Sequence, residues 1–426
     1  MRNDRNKFHF GNLKNRNEAR YSKAYFTLEG YPDSIEIVRI ALALEYPLMQ
    51  QGGTEVLVQE LIRRLSRSYQ IILVSGDQSA DCLPAEFVKL ISRHFSWDLS
   101  NISARKSHLL AQGLRDEGIA LAHFHLGGTY EWSSRRFWRS PIYFLANLGV
   151  PCVSTNHLAV EWLNCGVNPV RPNWQKVLFQ GAAWLSRAII YHKLRLEVAV
   201  SRHDQRRLQR MFPLFKHKII QLYHSLLPRD RPPPDLDERA TSILCVGTVG
   251  GRKAQPILTE AFARIAQRFP EWELDLIGRI GEAADARRIE EIANAAKIRD
   301  RVHLLGRLTD EETLRRMQRS SIVAMPSLQE GLGLSLQEAL FHGCVGVGSR
   351  IGGIPELVEH EINGLVVPPG DIPALSAALE RLVSDPVLLS KLRAASRLSI
   401  VRKGMTSEAM VENYLELYQD VAETHS

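Results

Sequence analysis

At 426 residues, 45% hydrophobic and 24% charged, the chain has the composition of a folded protein with room for two domains, each with its own core. It holds no apolar run near the roughly 18–20 residues that a membrane helix needs, and its first residues carry no apolar signal-like stretch. The net charge of +7 is concentrated at the front, where residues 1–24 hold seven Lys/Arg and two Asp/Glu, so the body is nearly balanced and a nucleic-acid partner is not expected.

Residues 1–34 are polar and aperiodic and are expected to form a solvated extension, with peripheral contact to an anionic membrane as the alternative. A first β-run is predicted at 35–44, then the turn Gln50-Gln51-Gly52-Gly53-Thr54 and a helical pattern at 55–65. Further apolar strands are predicted at 70–74, 119–124, 151–155, 196–200 and 218–223, with helical stretches between them. Strands alternating with helices imply a parallel sheet covered on both faces. Residues 228–240 include Pro232-Pro233-Pro234, which cannot sit in a central strand, and are predicted to be a linker.

The second half repeats the pattern more regularly. Its predicted strands are 242–246, 272–277, 302–305, 322–325, 345–347 and 365–367, with helices at 255–268, 284–296, 310–318 and 336–342. The expected architecture is α/β: two doubly wound, Rossmann-like domains, 35–227 and 241–400, facing across a cleft between the carboxyl edges of their strands. Within 401–426, Met410, Tyr414, Leu417 and Tyr418 recur at helical spacing, so a helix packing back across the domains is predicted. The five cysteines (Cys82, Cys152, Cys165, Cys245, Cys344) form no C-x-x-C pair, which points to a reducing, cytoplasmic setting and away from a zinc site.

The most informative segment runs Met325-Pro326-Ser327-Leu328-Gln329-Glu330-Gly331-Leu332-Gly333-Leu334, with Glu338 following. A buried strand ends, a glycine loop follows and a helix begins near Leu334; backbone N–H groups in such a place bind anions or hydroxyls. A glycosidase pair made of Glu330 and Glu338 is disfavoured. Eight residues of helix span about 12 Å, whereas such carboxyls lie roughly 5–9.5 Å apart. Arg252-Lys253, two adjacent cations just past a strand end, suit a leaving diphosphate.

Together with Gly352-Gly353-Ile354-Pro355-Glu356, the run Asn363-Gly364 to Gly370-Asp371, Val246-Gly247-Thr248, Arg252-Lys253 and Gly52-Gly53, this block closely resembles the signature of retaining GT-B glycosyltransferases, family four, also called glycosyl transferases group one. The similarity extends over roughly residues 36–420. It implies that a nucleotide-diphosphate sugar is the donor, and that Glu338 accepts hydrogen bonds from its ribose. It further implies that Glu330 holds the donor sugar, with Gly331, Leu332, Gly333 and Leu334 offering backbone groups, and that Arg252 and Lys253 clamp the diphosphate. Gly52, Gly53, Gly247 and Thr248 complete the implied donor site. His157, in Ser154-Thr155-Asn156-His157, resembles the family histidine near the donor sugar, with His125 a weaker candidate. The resemblance also implies retention of configuration, the donor phosphate itself taking the acceptor's proton. No cofactor and no metal are expected; Asp235-Leu236-Asp237 resembles a metal-binding D-x-D but falls in the linker.

Two departures stand out. The family's usual Asn-Gly-Val-Asp reads His224-Ser225-Leu226-Leu227, and its frequent Gly-Arg reads Gly247-Thr248. The acceptor is expected on the first domain, where Tyr130, Trp132, Phe137, Trp138, Tyr143, Trp162 and Trp174 supply faces for sugar stacking or core packing. A glycan, a lipid-linked sugar and a small metabolite all remain open as acceptors. The alternatives are an inactive nucleotide-sugar binding or scaffold protein and an epimerase or phosphorylase on the same fold. A dehydrogenase is disfavoured because no strand–helix turn carries G-x-G-x-x-G.

Overall fold

The computed structural model describes residues 38–49, 52–77, 79–97, 103–126, 139–157, 173–228 and 240–423. The predicted tail, Asp235, Asp237, Cys165 and most of the predicted linker lie outside them, and of the seven acceptor-side aromatics only Tyr143 has a described side chain.

The first sheet contains β1 (Arg39–Leu44), β2 (Gln70–Ser75), β3 (Ile91–Ser96), β4 (Leu121–Leu126), β5 (Cys152–Asn156), β6 (Leu196–Ala199) and β7 (Ile219–Gln221). The second contains β8 (Ala240–Val246), β9 (Glu273–Ile277), β10 (Val302–Gly306), β11 (Ser320–Met325), β12 (Val345–Ser349) and β13 (Gly364–Val367). All neighbours are parallel, in the orders β3-β2-β1-β4-β5-β6-β7 and β10-β9-β8-β11-β12-β13. Both sheets therefore reverse their winding once, beside β1 and beside β8. A crevice opens outside the strand ends at such a reversal, and that is where sheets of this kind hold ligands.

Alternation along the strands divides the core. In β1, Ile40, Leu42 and Leu44 pack with the helix Gly53–Leu65, while Ala41 and Ala43 join the helix Ala104–Asp116 on the other face. β11, Ser320–Met325, is buried at every position, as a strand covered on both sides must be.

Two strands differ from expectation. β3 was not predicted: Ile91-Ser92-Arg93-His94-Phe95-Ser96 is a half-exposed edge strand, so it lacks the continuous apolar run of its neighbours. β7 is shorter than the predicted 218–223, because after Gln221 the chain leaves the sheet for the second domain.

The last helix, Ser407–Glu423, buries Met410, Tyr414, Leu417, Tyr418 and Val421 in the first domain's core, against the helix Gly53–Leu65. The chain reaches it from Pro386–Arg402, whose Ile400 packs in the second domain. Residues 403–406 thus cross back beside residues 225–228. The two crossings are bonded to each other, Ser225 Oγ donating to the Met405 carbonyl (2.9 Å) and the Ser407 N–H donating to the Leu227 carbonyl (2.8 Å).

Candidate active site

Two loops at the winding reversal of the second sheet form the centre of the site. One follows β8 through Gly247, Thr248 and a short turn, Gly251–Lys253; the other follows β11 to the helix Leu334–Phe341. The Leu328 N–H donates to the Arg252 carbonyl (2.7 Å), tying the loops together. Across them Lys253 Nζ donates to Glu330 Oε2 at 2.5 Å, and both side chains are largely buried. Burial alone would raise the Glu330 carboxyl. Lys253 reverses this, helped by Arg252 and the Ser327 hydroxyl, so the group stays below its ordinary range and is ionised at neutral pH. The site therefore presents a carboxylate and two cations together.

The helix behind this loop starts from Gly333, at φ +96°, and no side chain caps it. Its first N–H groups therefore lack a side-chain acceptor and are available to an anion or hydroxyl. Gly53, at the start of the helix Gly53–Leu65, lies close enough to Leu334 that a methyl group there would touch it at 3.6 Å. The carboxyl edges of the two domains thus face each other where the resemblance placed the donor. Glu338 is half-buried on the same helix as Leu334, with Glu330 off the helix before its start.

Gln255, which sequence reasoning did not single out, organises the loop after β8. Its amide donates to the Gly247 (3.3 Å) and Thr248 (3.1 Å) carbonyls and accepts from the Gly250 N–H (3.3 Å). Glu356 is a second such residue. Its carboxylate accepts from the N–H groups of Arg202 (3.0 Å) and His203 (2.8 Å) and from the Tyr223 hydroxyl (2.7 Å). A second-domain carboxylate therefore caps a first-domain helix, Arg202–Met211. Burial, then Glu356 itself, pushes the Tyr223 hydroxyl well above its usual range. The motif Gly352-Gly353-Ile354-Pro355-Glu356 contained this signal, but only the fold shows what it reaches.

His157 belongs to a group of four histidines drawn from three segments. It directly follows β5, its N–H donating to the Leu126 carbonyl at 2.9 Å, and its Nε2 lies 3.1 Å from His125 Nδ1. His123 bridges the Tyr418 hydroxyl (2.6 Å) and Thr155 (2.8 Å), and His224 Nε2 meets the Tyr414 hydroxyl (2.7 Å). The His157 and His224 rings lie 5.1 Å apart. Among the described residues His157 makes no hydrogen bond to the Lys253–Glu330 pair. The link to the helix Leu334–Phe341 runs instead through Gln337, whose amide donates to the His224 carbonyl at 3.1 Å.

All four imidazoles are held neutral. Burial is the main cause in each, with neighbouring histidines adding to it for His123, His125 and His157, and His224 is pushed down to about 3. The unfolded chain then binds more protons than the folded one below about pH 6.5, so stability falls as pH drops from there. The slope approaches about 1.4 kcal/mol per pH unit for each histidine. Melting temperature is expected to decline steeply between about pH 6.5 and 5 and less steeply in His224→Gln; a flat profile would contradict the neutral cluster.

One group of three metal-competent side chains, Glu273, Asp275 and His303, occurs among the described residues, on β9 and β10. Arg316 already occupies Asp275 at 2.8 Å, and within the group His303 Nε2 lies 3.4 Å from Glu273.

Known proteins bear on this arrangement. Residues 228–399 match the family described as glycosyl transferases group 1, and residues 51–225 match glycosyltransferase family 4. An alpha-D-kanosaminyltransferase of Streptomyces kanamyceticus is 29% identical over 157 residues, 37% of this chain and 40% of that protein. The chain spans less than half the length of the first curated relatives it matches. A glycosyltransferase from Rickettsia africae superposes with a TM-score of 0.69 at 17% identity, over 90% of this chain and 98% of that one. Anabaena Alr3699/HepE in complex with UDP gives 0.68 at 16% identity, over 90% and 100%. The GT-B architecture expected from the sequence is the one observed.

Proposed function

We propose, from the match of residues 228–399 to glycosyl transferases group 1 and of residues 51–225 to glycosyltransferase family 4, that the chain transfers a sugar from a nucleotide-diphosphate donor with retention of anomeric configuration. The observation that carries the reading is the Lys253–Glu330 pair at the strand ends of the second sheet, beside an uncapped helix start. In this reading Lys253 and Arg252 hold the diphosphate as it gains charge on leaving, Glu330 and the Gly331–Gly333 backbone position the sugar, and Glu338 grips the ribose. His157, His125's neighbour, faces the donor sugar. Gly52 and Gly53 close over the donor from the first domain. Thr248 offers no charge where the resembled signature frequently has arginine, so the phosphate contact falls to Arg252 and Lys253. The acceptor's proton passes to the donor phosphate, and the protein contributes positioning and charge stabilisation. The acceptor is a carbohydrate-containing or small molecule bound on the first domain.

The test is a thermal-shift titration with UDP, GDP, ADP, TDP and their sugar conjugates on the wild type and on Glu338→Ala. UDP comes first, because a structure of similar fold binds it. A ligand at a hundred times its Kd stabilises the native state by about 2.7 kcal/mol. One nucleotide family is expected to raise the melting temperature of the wild type, and Glu338→Ala is expected to abolish the rise. Stabilisation by none of them at millimolar concentration would remove the donor assignment.

A further inference from the structure

The surface around the helix Arg202–Met211 and the short 3-10 helix Pro213–Lys218 has a composition that neither the core nor the cleft explains. Three large apolar side chains project from it: Leu214 is 82% exposed, Leu185 57% and Trp184 36%. Trp184 lies against the end of this helix, its indole N–H donating to the Met211 carbonyl (3.0 Å) and its ring stacking on Phe212 with centroids 5.7 Å apart, so Leu185, the next residue, and Leu214, two beyond Phe212, project from the same region. Scattered exposed leucines are ordinary, but adjoining ones on two elements make a patch.

The rim is basic, and the half-buried Glu356 of the second domain meets it only at the Arg202 end, where its carboxylate is taken up by the Arg202 and His203 N–H groups and the Tyr223 hydroxyl. Arg202, Arg206 and Arg210 recur every fourth residue on the exposed face of the helix, with Arg207 beside them and Lys216 exposed beyond Leu214. From residue 181 to 228 the chain has two carboxylates, Glu197 and Asp204, and both are buried. Glu197 is bonded to Arg187 at 2.8 Å, and Asp204 takes the Ser201 hydroxyl at 2.9 Å. Nothing on this segment neutralises the exposed arginines.

We propose that this face, with Leu214, Leu185 and Trp184 as apolar tips and the arginines around them, docks the protein on an anionic lipid surface. Protruding apolar tips ringed by cations suit the boundary between headgroups and acyl chains, where both are satisfied at once. No described helix is long and apolar enough to cross a membrane, so the contact is with the surface. A second copy of the chain is a poor occupant because it would bring two arginine clusters face to face. A nucleic acid would leave the leucines against phosphate. The proposal places membrane contact on the folded first domain, and it stands whether or not the transferase reading does.

The test is co-sedimentation of the full chain with phosphatidylcholine vesicles containing about one-third phosphatidylglycerol, against phosphatidylcholine alone. The wild type is expected to bind the anionic vesicles. Each basic residue near such a surface contributes about a fivefold gain in partitioning, so Arg206→Glu with Arg210→Glu is expected to lower binding about 25-fold or more. Leu185→Ser with Leu214→Ser is expected to lower it by at least about tenfold. Both pairs lie on exposed positions, so melting temperatures should match the wild type. Residues 1–34 are present in every variant, so unchanged binding in both would assign the effect elsewhere and overturn the proposal. It is equally overturned if the wild type does not bind, or if only the arginine pair matters and DNA competes with the vesicles.

Discussion

Lys253→Ala is expected to reduce turnover by about 10²–10³ and to destabilise the fold by about 3–5 kcal/mol. Both effects follow from the same contact. Lys253 is the nearest cation to Glu330, and each side chain is 15% exposed or less. Removing it leaves a buried carboxylate with only Arg252 and Ser327 to oppose the cost of burial. The proton is then the cheapest remaining partner, so the Glu330 pKa should rise. The sign is fixed by linkage. In the wild type the depressed folded-state pKa gives stability that is present above the unfolded carboxyl value, about 4.3, and lost as pH falls through the folded value. In Lys253→Ala that term reverses, and the acid limb of kcat should move to higher pH. A pH profile of kcat, with denaturant unfolding at two pH values, checks both parts. An unshifted limb would mean that Lys253 does not hold Glu330 ionised.

Gly352→Ala is expected to damage the same site without touching a charged group. Gly352 has φ +54°, and a methyl group there would overlap the Glu330 carbonyl oxygen. Next to it the Gly353 N–H donates to the Gly331 carbonyl at 2.7 Å. The paired glycines thus let one turn lie directly on the backbone that presents Glu330. Left-handed strain alone costs roughly 1–2 kcal/mol, and the overlap must be relieved by moving the Glu330 loop. Gly118→Ala separates these terms, since Gly118 has φ +68° and open space around its Cα. Gly118→Ala is expected to lower stability by the strain alone and leave donor affinity unchanged. Gly352→Ala should exceed that loss and weaken nucleotide binding at least about tenfold, which corresponds to 1.4 kcal/mol. Equal behaviour of the two variants would show that the contact with the Glu330 loop carries no function.

The parts of this arrangement that could be read from the sequence were the local ones. β8 and β11 are short apolar runs followed by glycines, so their ends and the loops after them stand out along the chain. Lys253 was visible for the same reason, although its pairing with Glu330 spans 77 positions and no local pattern encodes it. β3 was illegible because an edge strand needs no apolar run. The histidine group escaped notice because its members come from β4, the end of β5 and the crossing at His224, which meet only in the fold. That meeting also accounts for His224-Ser225 in place of the family's usual residues. His224 bonds Tyr414 of the final helix, and Ser225 bonds the returning chain at Met405, so both positions serve the junction of the domains.

That junction sets how the two halves can move. A domain on one tether can translate, twist and tumble. Here the polypeptide passes from the first half to the second near Leu227 and returns near Met405, and the two passages are laced together. Two adjacent anchor points leave essentially one soft coordinate, a swing about the line through them, much as a pair of pins limits a door. Opening the cleft along that arc draws Gly53 away from Leu334, while Glu356 stays near the axis, its carboxylate bonded to Tyr223 beside one passage and its carbonyl to Lys403 on the other. Ligand entry and release then become a rotation whose resting angle is set by a few hydrogen bonds close beside the axle.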